Sequence, residues 1–357
     1  QVLEARDDAG LPVAIQQVSF SPALALEFDA QTQTLHGTPQ QAGEFMASVF
    51  WAPERPPLQV PLLVNPDPRS LWQVREPDPT LPFKKPHTAC ARIAGAGFEL
   101  LAAGRRGRSH EHGGTFRDDD QYIHHDDQSG FGLLIVADGA GSAEFSREGS
   151  RLAVQQVAQS LTAQLHSEAG QAIGARVLHW DKTSSEQNQQ LSQFFYQAFQ
   201  QALHDAVRAL EAAADHFGKQ VRQYATTLLA SVYRVIPGPQ GDRLFVASCW
   251  IGDGAIAVYG LPGPEPVKLL GSPDGGEYAG QTRFLDRAIL ASADFSKRVS
   301  LGLFEQPQAL LLMTDGVSDP YFDTEQQMRD PARWQRLWQD LQAPLAEPAP
   351  EAALLDW

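Results

Sequence analysis

Residues 131–146, FGLLIVADGAGSAEFS, and residues 309–319, ALLLMTDGVSD, decide how this chain is read. In each, a short apolar run stops at an aspartate followed at once by glycine: Asp138-Gly139 in the first, Asp315-Gly316 in the second. Such runs, nearly all apolar and bounded by Gly or Asp, fit strands inside a sheet, so strands are expected over 131–137 and 309–313. Each strand then delivers a carboxylate to a sheet end, and the glycine leaves the backbone there open to a ligand. A single Asp-Gly is ordinarily a turn. Two of them, with Asp119, Asp253 and Asp319 also on turns, point to a site for a hard cation.

The chain has 357 residues, 43% of them hydrophobic, enough for more than one domain with a substantial core. Lys and Arg number 28 against 43 Asp and Glu, a net charge of −15 that argues against a nucleic-acid partner. Anionic substrates are still admissible where bound cations reverse the local charge. Cys90 and Cys249, the only cysteines, cannot build a disulfide framework and suit a reducing compartment. No apolar stretch approaches the roughly 18 residues of a membrane span, and no signal peptide opens the chain. A cytoplasmic location without a membrane partner is therefore expected, although Gln1 in place of Met leaves a removed leader open.

A composition change near residue 80 divides the chain. Short β-prone runs at 15–20, 24–28, 45–51 and 58–64, separated by turn signals such as Gly37-Thr38-Pro39 and Ala42-Gly43, read as a small antiparallel sandwich over 1–66. Residues 67–90 carry Pro68, Pro77, Pro79, Pro82 and Pro86 and read as a stiff, extended linker, pinned by Leu71 and Trp72. From 91 to 357 strands alternate with long helices. Strands are expected at 98–103, 131–137, 227–235, 244–251, 255–259 and 310–313, with 244–251 and 255–259 joined as a hairpin by Gly252-Asp253-Gly254. Helices are expected at 147–165, 186–216 and 332–341. In the second of these, Leu191, Phe195, Ala198, Phe199, Ala202, Leu203, Ala206 and Leu210 keep helical spacing and form a core stripe. Stacked sheets covered by helices fit this order better than a βαβ alternation.

Several patterns are set aside. GAGSA at 139–143 places Ser142 one position late for a nucleophile elbow, and no phosphate-binding glycine loop is present. His110, His112, His124 and His125 lack the usual zinc-ligand spacings and read best as a polar loop cluster, with phosphate contact or zinc as alternatives. The run Asp118-Asp119-Asp120, taken alone, fits a solvated loop as well as a ligand set.

In chain order these pieces resemble the bacterial type 2C metal-dependent Ser/Thr protein phosphatases, from about residue 95 to 357. GRSHEHGGTFRDDD at 107–120 resembles the opening segment of that family, and VADGAGSAEFSREGS at 136–150 its first "DG" segment. ATTLLA at 225–230, WIGDGAIAVY at 250–259 and LLMTDGVSD at 311–319 resemble its later strands. LEFDAQTQTLHGTPQQAGEF at 26–45 resembles bacterial immunoglobulin-like repeats. The fold implied is α+β: an αββα sandwich behind a small all-β immunoglobulin-like sandwich. The resemblance implies Asp119, Asp138, the Gly139 carbonyl and Asp315 as metal ligands, Asp138 bridging two cations, and Asp253 and Asp319 at a weaker third site. Oxygen-only ligands suit Mg²⁺ or Mn²⁺. The reaction implied is hydrolysis of phosphoserine or phosphothreonine in a phosphoprotein by a metal-activated water, without a phosphoenzyme. A Ser/Thr kinase is the partner the resemblance suggests.

The chain departs from that pattern in three places. Ala140 stands where many members have a histidine, and Gly114 where an arginine often clamps phosphate. Arg106, Arg108 or Arg117 is a substitute, and Arg108 with His110 is the pair chosen as phosphate-binding. The C-terminal "D-[DN]-x-T" strand, with its metal aspartate, is not seen before Trp357, so the domain is expected to lack its last strand and to hold its two cations unequally. The alternative reading is a pseudophosphatase or phospho-binding regulatory module without turnover.

Overall fold

A computed structural model describes residues 2–7, 10–66, 72–238, 241–274 and 282–357. It separates into two compact units, Gln1–Val74 and Arg75–Trp357. Among its described residues the first holds seven short strands: β1 (Ala5–Arg6), β2 (Pro12–Val13), β3 (Gln17–Ser21), β4 (Leu26–Asp29), β5 (Thr34–Gly37), β6 (Gly43–Phe50) and β7 (Leu58–Val64). β6 runs antiparallel between β3 and β7, while β4 pairs with β5 and β1 with β2. Among the described residues Ile15, Phe45 and Ala47 are its buried apolar ones. The sequence reading missed β5, whose TLHG runs straight into the Gly37-Thr38-Pro39 turn.

The second unit begins with β8 (Thr88–Gly95), β9 (Phe98–Arg105), α1 (Arg108–Gly113), β10 (Asp120–His125) and β11 (Gly132–Ala137). Three helices follow: α2 (Ser146–His166), α3 (Glu168–Leu178) and α4 (Ser185–His216). Then come β12 (Leu228–Ile236), β13 (Arg243–Ile251), β14 (Ala255–Tyr259), β15 (Val267–Leu269), α5 (Arg287–Ala291), β16 (Val299–Glu305) and β17 (Ala309–Met313). Helices α6 (Asp315–Ser318), α7 (Glu325–Met328), α8 (Pro331–Leu345) and α9 (Pro350–Asp356) follow. Among the described residues no helix is long and apolar enough to cross a membrane.

Side-chain alternation sorts these elements into layers. Five antiparallel strands in the order β10-β11-β12-β13-β16 form one sheet. One face of it presents Leu228, Ala230, Val232, Phe245, Ala247 and Cys249 to α2 and α4. The opposite face presents Leu229, Val246 and Trp250 to a second sheet, β15-β14-β17. Every residue of β14 is buried, because its outer face is covered by Trp334, Leu337 and Leu341 of α8. The order is helix, sheet, sheet, helix.

The expected α4 stripe is core. Leu191, Phe195, Ala198, Phe199, Ala202, Leu203, Ala206 and Leu210 are all buried, and the Ser184 side chain caps the helix by accepting from Gln187 N. Burying each large apolar side chain contributes about 1.5–3 kcal/mol.

Four expectations need correction. Gly252-Asp253-Gly254 does not close a hairpin: β13 is already hydrogen-bonded to β12 and β16, so the turn carries the chain into the other sheet. His124 and His125 lie in β10 rather than in a loop, on an edge strand whose polar DQYIHH hid its periodicity. β8, β16 and α3 were missed, the first two because alanine and glycine dilute their apolar alternation. The linker does not run to residue 90, since the compact division lies at Val74 and β8 begins at Thr88. Of its two expected anchors, Leu71 lies outside the described residues.

Candidate metal centre

Asp138 leaves the end of β11, a central strand flanked by β10 and β12, so its backbone position is tightly set. Its N–H donates to Thr227 Oγ1 at 2.9 Å, and its carbonyl accepts from Thr227 N at 2.8 Å and Thr226 Oγ1 at 2.9 Å. Both threonines are buried, which explains the work of the ATT motif: it clamps the strand end that carries the carboxylate. Thr227→Val keeps the shape and removes the acceptor. Its expected cost is about 1–3 kcal/mol from the unsatisfied Asp138 N–H, read as a lower urea midpoint with an unchanged slope.

Asp253 arrives from the 252–254 turn, and Asp315 opens α6 just after β17. A side chain at Gly252 (φ +116) would stand 2.5 Å from Thr227 Cβ, and one at Gly254 would stand 2.3 Å from the Met313 carbonyl. Only glycine lets this turn lie against both neighbours. Gly252 N donates to Asp274 Oδ2 at 3.1 Å, and Arg298 holds Asp274 at 2.5 Å, so a half-buried ion pair fixes the turn. Thr282 Oγ1 donates to Asp253 Oδ2. Carboxylate oxygens of Asp138, Asp253 and Asp315 then lie within 4.8 Å of one another.

The three consecutive aspartates point three ways. Asp118 is buried and accepts from Ser146 Oγ at 2.9 Å, at the start of α2. Asp119 accepts from Thr314 Oγ1 at 3.1 Å and lies near enough to Asp138 to help hold its carboxyl above the usual range. Asp120 pairs with Lys85 at 3.0 Å. The run is not a solvated loop, because two of its members are tied into the domain and the third faces the centre.

Crowding of acids in a partly desolvated site shifts their titration. Burial, then hydrogen bonding and charge from Asp119, then the charges of Asp315 and Asp253, push Asp138 up to about 10. Burial and the charges of Asp253, Asp119 and Asp319 push Asp315 up to about 6. Asp319 is raised by burial and by Asp253. Asp253 Oδ1 is buried with no hydrogen-bond partner among the described residues. An orphaned oxygen beside two carboxylates that resist ionisation is the donor set that a hard divalent cation completes, so the residues fit such an ion.

A cavity of about 1190 Å³ opens beside the centre. Asp119, Asp138, Gly139, Asp315 and Asp319 line it, as do Arg108 and His110 from α1. Asp253 joins through the carboxylate cluster instead. Arg117 also lines the cavity, only 4% exposed, with Nε and Nη1 lacking partners among the described residues. His110 Nδ1 bonds Thr115 Oγ1 at 2.8 Å. His125 lies at the far end of β10, opposite Gly132, and contacts Tyr233 OH at 3.1 Å, so the four histidines do not gather around one ion. The clamp residues Thr226, Thr227, Asp274 and Arg298 were not singled out as site residues from sequence. Only the "ATT" at 225–227, which contains the two threonines, carried a signal.

Residues 106–357 match the family described as Protein phosphatase 2C. The chain belongs to the protein phosphatase 2C family. No curated protein matches it. A crystal structure of a bacterial serine phosphatase is 14% identical, covering 71% of this chain and 90% of that one, at a TM-score of 0.32. PppA, described as a key regulatory component of T6SS in Pseudomonas aeruginosa, is 15% identical over 74% of this chain and 86% of its own, at 0.32. A serine-threonine phosphatase 2C from Toxoplasma gondii is 16% identical over 76% and 93%, at 0.36. At these TM-scores the likeness is loose, and membership rests on the sequence match. For this protein phosphatase 2C member the aspartate cluster lies inside the matched segment.

Proposed function

We propose that the second unit hydrolyses phosphoserine and phosphothreonine esters in proteins, with Mg²⁺ or Mn²⁺ held at the aspartate cluster. The observation that carries this reading is the meeting of Asp138, Asp253 and Asp315 within the family-matched segment, with Asp138 and Asp315 lining a large cavity. Asp138, with Asp119 against it, would hold the cations at the centre; Asp315, Asp253 and the Gly139 carbonyl would complete the donors, with Asp319 on the outer side. Bound there, a cation pair supplies an activated water and screens the phosphate charge.

The chain's own residues do the rest. Arg108 and His110 orient the phosphate from α1, and the unpartnered donors of Arg117 offer it a further charge-assisted contact. Thr226 and Thr227 keep the Asp138 carboxylate from drifting as charge develops. No covalent phosphoenzyme is proposed. Cys249 is wholly buried with its thiol pushed up to about 12, which suits a core residue rather than a nucleophile.

We also read the first unit as an immunoglobulin-like sandwich, supported by its antiparallel strands and the Gly37-Thr38-Pro39 turn. A phosphoprotein substrate and a Ser/Thr kinase partner follow from the family reading. The test is release of phosphate from a phosphothreonine peptide with and without Mn²⁺. Mn²⁺-dependent turnover is expected; Mn²⁺ binding with no release would favour the regulatory, non-hydrolysing alternative.

A further inference from the structure

Lys85 precedes β8 in a proline-rich stretch with no signature of function, yet its side chain is only 8% exposed. It donates to the Asp119 carbonyl at 2.8 Å and to Ser150 Oγ at 3.0 Å, and pairs with Asp120 Oδ2 at 3.0 Å. Ser150, on α2, in turn donates to the Asp118 carbonyl at 2.5 Å. The three donors of one ammonium are thus spent on the loop that delivers Asp119, and on the helix behind it.

The stretch that carries Lys85 is itself anchored. Arg147, in the first turn of α2, donates to the carbonyls of Phe83 at 3.0 Å and Pro82 at 2.7 Å. Phe83, at φ +56, packs edge-on against Phe145 and Phe217 with ring centroids 5.5 and 5.1 Å away. Lys85 therefore reaches the loop from a fixed base.

We infer that Lys85 is a positioning residue for Asp119, and that residues 82–85 are a strap belonging to the metal centre rather than to a linker. The inference rests on the metal reading given above. Lys85 holds Asp119 by its backbone carbonyl rather than its carboxylate; it sets where the 118–120 backbone stands, and so how closely the Asp119 carboxylate approaches Asp138. Removing a group that orients a metal ligand typically weakens metal affinity by about 10–100-fold.

The test uses the full chain and counts free Mn²⁺ by electron paramagnetic resonance, which needs no turnover. Lys85→Met should weaken Mn²⁺ binding by about 10–100-fold, with kcat at saturating Mn²⁺ within a few-fold of wild type. In an Asp119→Asn background the same change should weaken binding no further, because the residue it acts through is already lost. Should Lys85→Met fail to fold, Lys85→Gln keeps a neutral donor group and is read in the same way. Unchanged Mn²⁺ affinity in the folded single variant, or equal losses with and without Asp119, would reduce Lys85 to a structural contact and overturn the inference. Wild-type protein that binds no Mn²⁺ would sink the metal reading and this inference together; intact wild-type binding isolates a failure of Lys85 alone.

Discussion

Asp138→Asn is expected to abolish Mn²⁺-dependent phosphate-ester hydrolysis while leaving the fold intact. The fold should survive because Asp138 is held by its backbone, through Thr226 and Thr227, and those bonds do not involve the carboxylate. Activity should not survive, because the central charge of the cluster is lost, and with it both cation affinity and water activation. The expected fall is at least 1,000-fold, on the order of 4 kcal/mol of transition-state stabilisation. A variant retaining more than about a tenth of wild-type turnover, a loss of only ~1.4 kcal/mol, would show that Asp138 does not hold the cations. A second signature follows from its titration. Without metal, Asp138 must take up a proton at neutral pH to sit beside Asp119, Asp253 and Asp315, and asparagine removes that requirement. In EDTA the variant should therefore melt higher than wild type at pH 7.5, with the advantage shrinking toward pH 4.

The second large effect is a reversal of pH dependence by metal. Asp138 and Asp315 have folded-state values of about 10 and about 6, both above the ordinary 3.8. Between the ordinary and the raised values the folded chain binds more protons than the unfolded one, so the contribution of these groups to stability falls as pH rises. It is fully present below about pH 4. The Asp315 part is lost by about pH 6, and the Asp138 part continues to fall toward pH 10. Cation binding needs the ionised carboxylates and releases those protons, so affinity climbs with pH. The gain in melting temperature from saturating Mn²⁺ should be much larger at pH 8 than at pH 5, and calorimetry in two buffers should register proton release. An equal gain at both pH values, with no protons released, would mean that the aspartates are already ionised without metal.

Much of the centre was legible because its chemistry lies on strand ends. An apolar run stopped by Asp-Gly is a local pattern, and it located Asp138 and Asp315, while Asp253 stood out between two glycines in a tight turn. Helix α4 was legible for the same reason: one stripe at helical spacing can be buried in only one way. β10, β8 and β16 were hidden because an edge strand or an alanine-rich strand need not show an unbroken apolar face.

What the sequence by itself determined is therefore which residues carry charge to the ends of which strands, and the stripes that bury them in a core. Tertiary structure alone decided which charges meet. That the 252–254 turn passes between sheets, bringing Asp253 to Asp138 and Asp315, depends on β13 being paired on both edges by β12 and β16. That Asp118, Asp119 and Asp120 face a serine, the centre and a lysine depends on α2 and on a stretch some 35 residues upstream. Local periodicity records the environment of one residue at a time, whereas hydrogen bonds such as that from Lys85 to Asp119 join positions whose separation in the chain carries no information about their distance in space.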